Sequence, residues 1–377
     1  MQTTGIGRQQ GQKIASLQAL RAWAFLGVFF EHAKFFIAWP TLGVSIFFVM
    51  SGFLMAARYE NVDLAASPKD CFLFSWKKIL KLYPLHILTM LCAAVFPLWS
   101  IIRDGFSIGP AVDLAENLLL HITLLQTWVP DCTIAVSLNG VSWYLSVTVF
   151  LYFVFPWLKR VVERGSLARL CLLCVLLLAC ETLACVLALR AWGNRSPGYI
   201  WFMYNFPIFR VGDFFVGCVL KRAFFESGVK RLGTIQTTIL EVLATALTVL
   251  VYFWCASSHS NIVLQALNNW TTPFIPMAAV WVLLFAANKG LLTRALTNRV
   301  TVAVGNISAF AYLIHNIVVM AAPHLISRMR LPAGGLGTVL VVSAELAVSI
   351  ALSVCYKRLD EKYISKLVPA GSGRPTR

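Results

Sequence analysis

Charged residues are scarce in this chain of 377 residues, where they make up 13% of the sequence, against about 25% in soluble domains. Hydrophobic residues reach 59%. This balance excludes an ordinary soluble domain. Apolar runs of about 18 residues or more are typical of membrane-spanning helices, and they predict an all-α bundle with about ten spans. The predicted spans are 15–37, 41–58, 83–102, 141–158, 168–189, 200–220, 236–256, 271–287, 301–325 and 336–356.

Motifs that mark several enzyme classes are also missing. The sequence has no Gly-rich phosphate loop, no Cys or His spacing typical of zinc sites and no nucleophile elbow. Most of the ten cysteines fall inside predicted spans, so no disulfide framework is indicated. No cleavable signal peptide is expected, because the first apolar run is too long and no small-residue cleavage site follows it. No metal site is expected.

Acidic residues are half as frequent as basic ones, at 16 against 32. On a soluble protein this excess would suggest a nucleic-acid partner. With the amino terminus placed in the cytoplasm, most basic residues fall on the cytoplasmic side, as the positive-inside rule requires. The excess of basic residues therefore indicates how the chain is oriented in a lipid bilayer, and nucleic acid is not expected as a partner. We predict a cytoplasmic tail over 1–14, one membrane domain over 15–356 and a cytoplasmic basic tail over 357–377.

Two segments between the spans need separate interpretation. Val112–Trp128 is short and polar, and counting it as a span would turn the basic stretch 159–169 to the outside. It is predicted to be a re-entrant or interfacial segment on the outer side. The largest cytoplasmic loop, Arg58–Lys81, is too small to fold alone. Any activity is therefore expected inside the bundle or at its two faces.

The first predicted span contains Arg21 and His32, two residues that hydrocarbon makes expensive to hold. They are eleven positions apart, which places them within about 20° of one helix face with a rise of ~16 Å. An ionisable residue inside a membrane is a functional candidate by default. A snorkelling arginine and a hydrogen-bonded structural histidine are the alternatives. The spacing alone leaves both interpretations open.

Other candidate functional residues also have ordinary structural explanations. Ser45 and Gly52 share a face of the second span, where small residues allow close helix approach. Three lysines precede a Tyr-Pro pair at the start of the third span, and they are typical either of a phosphate site or of ordinary positive-inside flanking. These residues are Lys77, Lys78 and Lys81, followed by Tyr83.

Three later stretches complete the set. Trp143 and Tyr144 are predicted to form an aromatic belt at the outer interface, with Ser146 one turn deeper. Arg210 and Asp213 can pair on one helix face, and a structural ion pair is the favoured interpretation. Later in the chain, mid-span His315 is interpreted as a hydrogen-bonded packing residue, with a place in the site as the alternative.

Taken in order, these stretches resemble the acyltransferase family 3 of integral membrane proteins. The resemblance runs from about residue 15 to 356. It includes the Arg-and-His first helix "LRAWAFLGVFFEH", then "GVSIFFVMSGF", "KKILKLYP", the "W-x-L-S" helix, "FRVGDFFVG" and "ISAFAYLIHN". Lys78 and Lys81 stand where the family usually has Arg, and a lysine meets a phosphate as a point charge without the bidentate fork.

The resemblance implies an O-acyltransferase that uses acyl-CoA as a cytoplasmic co-substrate, with no bound cofactor. It implies that Arg21 orients the donor or stabilises negative charge and that His32 acts as general base, with a transient acyl-imidazole as the alternative. It further implies donor-binding residues and residues that line the acceptor side. The donor residues are Lys77, Lys78, Lys81 and Tyr83, and the lining residues are Ser51, Trp143, Ser146 and His315.

The implied acceptor is a hydroxyl of an exopolysaccharide, an O-antigen or another envelope saccharide, and the implied location is the bacterial inner membrane. Acetyl is favoured over succinyl or other acyl groups. A transporter or flippase of a lipid-linked saccharide would also use intramembrane charges, although no inverted repeat is evident. A membrane sensor of acyl donors would keep the lysines without needing His32. The sequence leaves the oligomeric state open.

Overall fold

The computed structural model describes residues 15–35, 40–64, 67–257, 261–267, 271–326 and 335–364. The predicted amino-terminal tail 1–14 and the tail beyond 364 lie outside these residues. Within the described ranges the chain is helical and has no β-strand, which confirms the all-α prediction. The helices are Ala15–His32 (α1), Pro40–Arg58 (α2), Pro68–Ile79 (α3), Tyr83–Arg103 (α4), Ile108–Ile122 (α5), Cys132–Ala135 (α6), Trp143–Arg164 (α7), Leu167–Trp192 (α8), Pro197–Ile200 (α9), Val211–Glu226 (α10), Thr234–Ala256 (α11), Ile262–Leu267 (α12), Phe274–Ala287 (α13), Leu291–Leu296 (α14), Arg299–Ile326 (α15) and Gly335–Leu359 (α16).

Seven of the described helices are long and apolar enough to cross a membrane, whereas the sequence predicted about ten. These seven are α2, α4, α7, α8, α11, α15 and α16. The other three predicted spans correspond to α1, α10 and α13. α1 carries Arg21 and Glu31 within its 18 residues, and α10 and α13 have only 16 and 14 residues. Length and polarity therefore separate these three from the others.

The centre of the bundle forms around α1 and α2, which pack against each other. α1 also packs along α15, and α2 packs along α10 and α13. Glycines bring the backbones together: a methyl group at Gly305 would overlap the Gln18 carbonyl, and one at Gly52 would overlap the Phe214 carbonyl. The predicted close helix approach at Gly52 is thus confirmed, with α10 as the partner.

α3 corrects the prediction that 58–81 is a loop. Its side chain Ser75 donates to the Val149 carbonyl of α7 at 2.5 Å, and the Phe74 and Phe155 rings stack at 6.0 Å. Further along, Arg160 of α7 donates to the Leu64 carbonyl. α3 therefore runs antiparallel to α7. Only three residues of α3 are buried, Cys71, Ser75 and Ile79. This apolar face is too narrow to stand out in the sequence beside the basic residues.

α5 folds back along α4, as a re-entrant segment would. Its 15 residues give a length of about 22 Å. The Tyr83 hydroxyl donates to the Ile122 carbonyl at 2.8 Å, and His86 Nε2 lies 2.9 Å from the His121 carbonyl. Residues near the start of α4 thus contact carbonyls in the last turn of α5, where the helical hydrogen bonding ends.

The predicted span 200–220 is broken in the structure. Residues Trp201–Asn205 form a π-helical turn, Pro207 follows, and α10 begins only at Val211. Proline lacks the backbone N–H that a continuous helix would need. The break leaves Arg210 just before the first turn of α10.

The two ends of the bundle are named here by the residues found there. α2 runs back along α1, so Tyr59, just beyond α2, lies at the opposite end from His32. Lys78 contacts Tyr59. We call these the Lys78 end and the His32 end.

Candidate active site

His32 is the last residue of α1 and is partly buried. Its Nδ1 lies 2.8 Å from the Val28 carbonyl, one turn earlier. Because a carbonyl oxygen only accepts, Nδ1 carries the proton in the neutral ring. Nε2 is then the nitrogen with the lone pair, and it can accept a proton from a bound hydroxyl.

His315 lies against His32. The two rings are 5.1 Å apart at an interplanar angle of 86°. His315 is fully buried, and its Nδ1 also lies on a carbonyl one turn earlier, that of Ala311, at 3.1 Å. Its Nε2 has no hydrogen-bond partner among the described residues. The structure therefore brings these two predicted site residues together, each with Nε2 outside the hydrogen bonds to its own helix.

Arg21 lies on the same helix, about 16 Å along the axis from His32. Its Nε is buried without a hydrogen-bond partner in the described part of the chain. The guanidinium interacts electrostatically with the hydroxyl groups of Tyr144 and Tyr152, both on α7. These two tyrosines are eight residues apart, or ~12 Å along α7. Arg21 thus faces the interior of the bundle, between α1 and α7.

A path of polar aromatic side chains connects Arg21 with His32. Tyr144 lies 5.4 Å from the Tyr312 ring, and Tyr312 lies 5.8 Å from the His315 ring. Toward the Lys78 end, the Tyr152 hydroxyl and Ser51 Oγ are 3.1 Å apart. We call Tyr152, Tyr144 and Tyr312 the tyrosine path. Ser51, predicted as a lining residue, therefore contacts the part of the path nearest the Lys78 end.

The predicted donor lysines have three different environments. The Lys78 ammonium contacts the Tyr59 hydroxyl and lies 5.4 Å from the Phe74 ring centroid. Lys77 is exposed on α3. The ammonium group of Lys81 lies 5.9 Å from the Phe310 ring centroid on α15. Of the three lysines, only Lys78 is both partly buried and hydrogen-bonded to another described side chain.

The aromatic-belt prediction for Trp143 and Tyr144 is wrong. Trp143 is only 4% exposed, and its ring packs 4.9 Å from Tyr204. The Tyr144 ring stacks on Phe48 at 4.5 Å. Both residues therefore face neighbouring helices, whereas belt residues contact the membrane interface. Ser146 is also buried, where its hydroxyl group lies 2.6 Å from Thr127 Oγ1 and donates to the Leu124 carbonyl.

Arg210 and Asp213 form the predicted ion pair, with 3.5 Å between Nη1 and Oδ2. Arg210 Nε also donates to the Tyr204 carbonyl at 2.9 Å. Three aromatic rings surround the guanidinium at 4.9–5.6 Å, a range in which cation–π attraction operates. The rings belong to Phe48, Trp143 and Tyr204.

Sequence reasoning missed Glu181, a buried carboxyl group of α8 that lies near this ion pair. Its carboxyl group reaches the backbone of α10 at Gly212, where a methyl group would overlap it. It also interacts electrostatically with Arg210 and Asp213. We call Arg210, Asp213 and Glu181 the Arg210 cluster. The available signal was a glutamate in the middle of a 26-residue helix whose other charged residues, Arg169 and Arg190, lie near its ends.

The tyrosine path was also missed, although its spacing offered a signal. Tyr312 precedes His315 by three positions, so both lie on one face of α15.

No group of three or more His, Cys, Asp or Glu residues able to hold a metal ion occurs within the described ranges.

Comparison with known proteins shows the family to which the chain belongs. A family model described as an acyltransferase domain matches residues 14–358. The acyltransferase MdmB of Streptomyces mycarofaciens is 28% identical over an alignment of 337 positions, and the match covers 81% of this chain and 79% of that protein. No solved structure matches significantly. Since the match extends over nearly the whole membrane domain, the chain belongs to acyltransferase family 3 and is a membrane acyltransferase.

Proposed function

We propose that the chain is an O-acyltransferase that moves an acyl group, most simply acetyl, from cytoplasmic acyl-CoA to a hydroxyl of an envelope saccharide. In this proposal the Lys78 end faces the cytoplasm and the His32 end faces outward. The observation that supports it is the tyrosine path, which links Arg21 to a histidine pair through the interior of the bundle. A reaction with its two substrates on opposite sides of a membrane needs such an interior connection.

His32 is the general base of the proposed reaction. Its Nε2 takes the proton of the acceptor hydroxyl while the hydroxyl oxygen attacks the thioester carbonyl. A C–O bond forms to the acyl carbon and the C–S bond to coenzyme A breaks. The leaving thiolate then takes the proton from the imidazolium ring. The Val28 carbonyl keeps Nδ1 as the hydrogen-bond donor throughout, so the same nitrogen receives and returns the proton.

Arg21 holds the donor in this scheme. About 16 Å of helix separates it from His32, so it acts on the donor rather than on the carbonyl at the His32 end. Its buried Nε has no partner among the described residues, and its guanidinium lies near Tyr144 and Tyr152. The guanidinium can therefore bind the polar part of the donor inside the bundle. Lys77, Lys78 and Lys81 supply positive charge at the cytoplasmic end.

Acyl transfer from labelled acetyl-CoA to envelope glycans tests the proposal. Membranes with the native chain are compared with membranes that carry His32→Ala at equal protein levels. We expect label incorporation by the native chain and its loss in the variant, with the product identified by mass spectrometry. His121→Ala is the control, because it removes a histidine of α5 whose Nδ1 lies 2.8 Å from the Asn117 carbonyl of the same helix. Equal incorporation by the native chain and His32→Ala would contradict the role of His32, and movement of unmodified saccharide without acylation would favour the transporter.

A further inference from the structure

A groove of about 310 Å³ opens at the Lys78 end, between the carboxyl-terminal parts of α2, α7 and α10. It lies apart from Lys77, Lys78 and Lys81, none of which lines it. Three basic and three acidic side chains make up its charged lining. These are Lys159, Lys221 and Arg222, with Glu60, Glu163 and Glu226.

The cations and the acids of the groove differ in exposure. The side chains of Lys159 and Lys221 are 9% and 11% exposed, whereas their partners Glu163 and Glu60 are 45% and 50% exposed. Arg222 is anchored by the Val162 carbonyl, to which its Nη1 donates at 2.8 Å. The positive charges are therefore built into the walls. The carboxylates of Glu163 and Glu60 are half-exposed, so they can turn toward water when a ligand anion takes their place beside the lysines.

An aromatic ring completes the lining. Phe225 is 50% exposed, and the Lys221 ammonium lies 5.1 Å from its centroid. A flat apolar surface beside fixed cations suits a nucleotide, because a purine base can stack on the ring while its phosphates meet the ammonium groups. The exposed ring and the fixed cations indicate a nucleotide only in combination.

The groove also lies next to the interior path. Lys159 and Tyr152 are seven residues apart on α7, so they share a helix face about 10.5 Å apart. Cys218, which lines the groove, lies 3.6 Å from the Gly52 carbonyl, and Ser51 beside it contacts Tyr152. The groove therefore lies about two helix turns from Tyr152, the part of the tyrosine path nearest the Lys78 end.

We propose that this groove binds the phosphorylated nucleotide end of the acyl donor, with Lys159, Lys221 and Arg222 on the phosphates and Phe225 under the adenine. This inference rests on the proposed function, in which the donor is acyl-CoA. Glu60 and Glu163 act as displaceable counter-ions that the phosphates replace. They compete with the ligand, so removing their charge strengthens binding.

Coenzyme A binding to the purified full chain in detergent, measured by isothermal titration calorimetry, tests the groove. We expect Lys221→Met to raise Kd about tenfold or more, as loss of a charged hydrogen bond does. Glu60→Gln is expected to lower Kd severalfold. Both substitutions break the same ion pair, so a purely structural role would change Kd in the same direction in both. Adenosine 3′,5′-bisphosphate, used as a second probe, is expected to show the same opposite shifts because it carries only the nucleotide end.

Lys357→Met and Glu361→Gln are the matched controls, because they neutralise an ion pair outside the groove. Both are expected to leave Kd unchanged. If native protein binds coenzyme A but Lys221→Met and Glu60→Gln shift Kd in the same direction or not at all, the groove assignment is overturned and the proposed function stands. If native protein binds neither probe and transfers no label from acetyl-CoA, the proposed donor itself is wrong and the groove assignment falls with it.

Discussion

The bundle contains two interior arginines in contrasting surroundings. Arg210 is held by Asp213, a backbone carbonyl and three aromatic rings. Arg21 has no ion pair with any residue in the described part of the chain, and its Nε has no hydrogen-bond partner there. A buried charge is tolerated when it is paired. Arg210 is therefore neutralised by Asp213, although its Nη2 has no hydrogen-bond partner among the described residues, whereas Arg21 has no ion-pair partner there and has capacity for a ligand.

The same contrast applies to the aromatic residues around each arginine. The rings near Arg210 enclose it, and Trp143 and Tyr204 pack against each other. Near Arg21 the rings do not form an enclosure. Tyr144 contacts Tyr312, which in turn contacts His315 of the histidine pair. Aromatic surroundings alone thus do not separate a structural site from a functional one. The distinguishing feature is whether the guanidinium group has an ion-pair partner among the described residues, as Arg210 does and Arg21 does not.

The largest expected effect concerns stability. Arg210→Met leaves Asp213 buried without its partner and is expected to lower the free energy of unfolding by about 3–5 kcal/mol. Thermal unfolding of the purified protein, followed by tryptophan fluorescence, measures this loss. Arg21→Met is the matched control and is expected to keep the native Tm. Equal losses of Tm in both variants would remove the distinction between the two arginines.

The next effect concerns activity. Arg21→Met is expected to reduce kcat/KM for acyl-CoA about 10- to 100-fold, since a hydrogen bond to a charged group contributes about 1.5–3 kcal/mol. Arg21→Lys keeps the charge and is expected to lose less. Initial rates of label transfer over a range of acyl-CoA concentrations give the values. Full activity in Arg21→Met would show that the unpaired arginine has no role with the donor.

A smaller effect is expected within the tyrosine path. Tyr152→Phe removes the hydrogen bond to Ser51 and is expected to lower the transfer rate by a factor of about 3–10, which corresponds to roughly 0.5–1.5 kcal/mol. The double variant with Ser51→Ala is expected to be little worse than either single variant, because both remove one interaction. Strictly additive losses would indicate that the two hydroxyl groups act separately.

The smallest effect is expected at Glu181. One guanidinium group balances one carboxylate, and that carboxylate is Asp213 at 3.5 Å. Glu181→Gln preserves the shape of the side chain, so it is expected to change the free energy of unfolding by less than about 1 kcal/mol. Thermal unfolding is again the measurement, with Arg210→Met as reference. A loss as large as that of Arg210→Met would make Glu181 a full member of the ion pair.

The membrane class, the all-α fold and the Arg210–Asp213 pair could be predicted because each depends on composition or local spacing. Arg21 and His32 could be placed on one face because helix geometry alone determines that relation. Their catalytic roles stay predictions. The contact between His32 and His315 could not be predicted, since it depends on how α1 and α15 pack across 283 positions of sequence.

The errors also have physical causes. Trp143 and Tyr144 match the composition of an interfacial belt, and only the packing of α7 shows that they are interior. α3 was interpreted as a loop because its lysines outweigh its narrow apolar face. The span 200–220 was expected to be continuous because hydropathy averages over Pro207, although that residue interrupts the backbone hydrogen bonds.

The hydrogen bond from His32 to Val28 has a consequence for genetics. In many enzymes a carboxylate side chain orients the catalytic histidine, so its loss by mutation is readily detected. Here the acceptor is the main-chain carbonyl of residue 28, which every amino acid supplies. With His32 in its proposed role, a saturation screen of α1 is expected to detect His32 itself but no second side chain that orients it. The helix backbone itself orients the His32 ring. Only substitutions that distort the last turn of α1 are therefore expected to disturb that orientation.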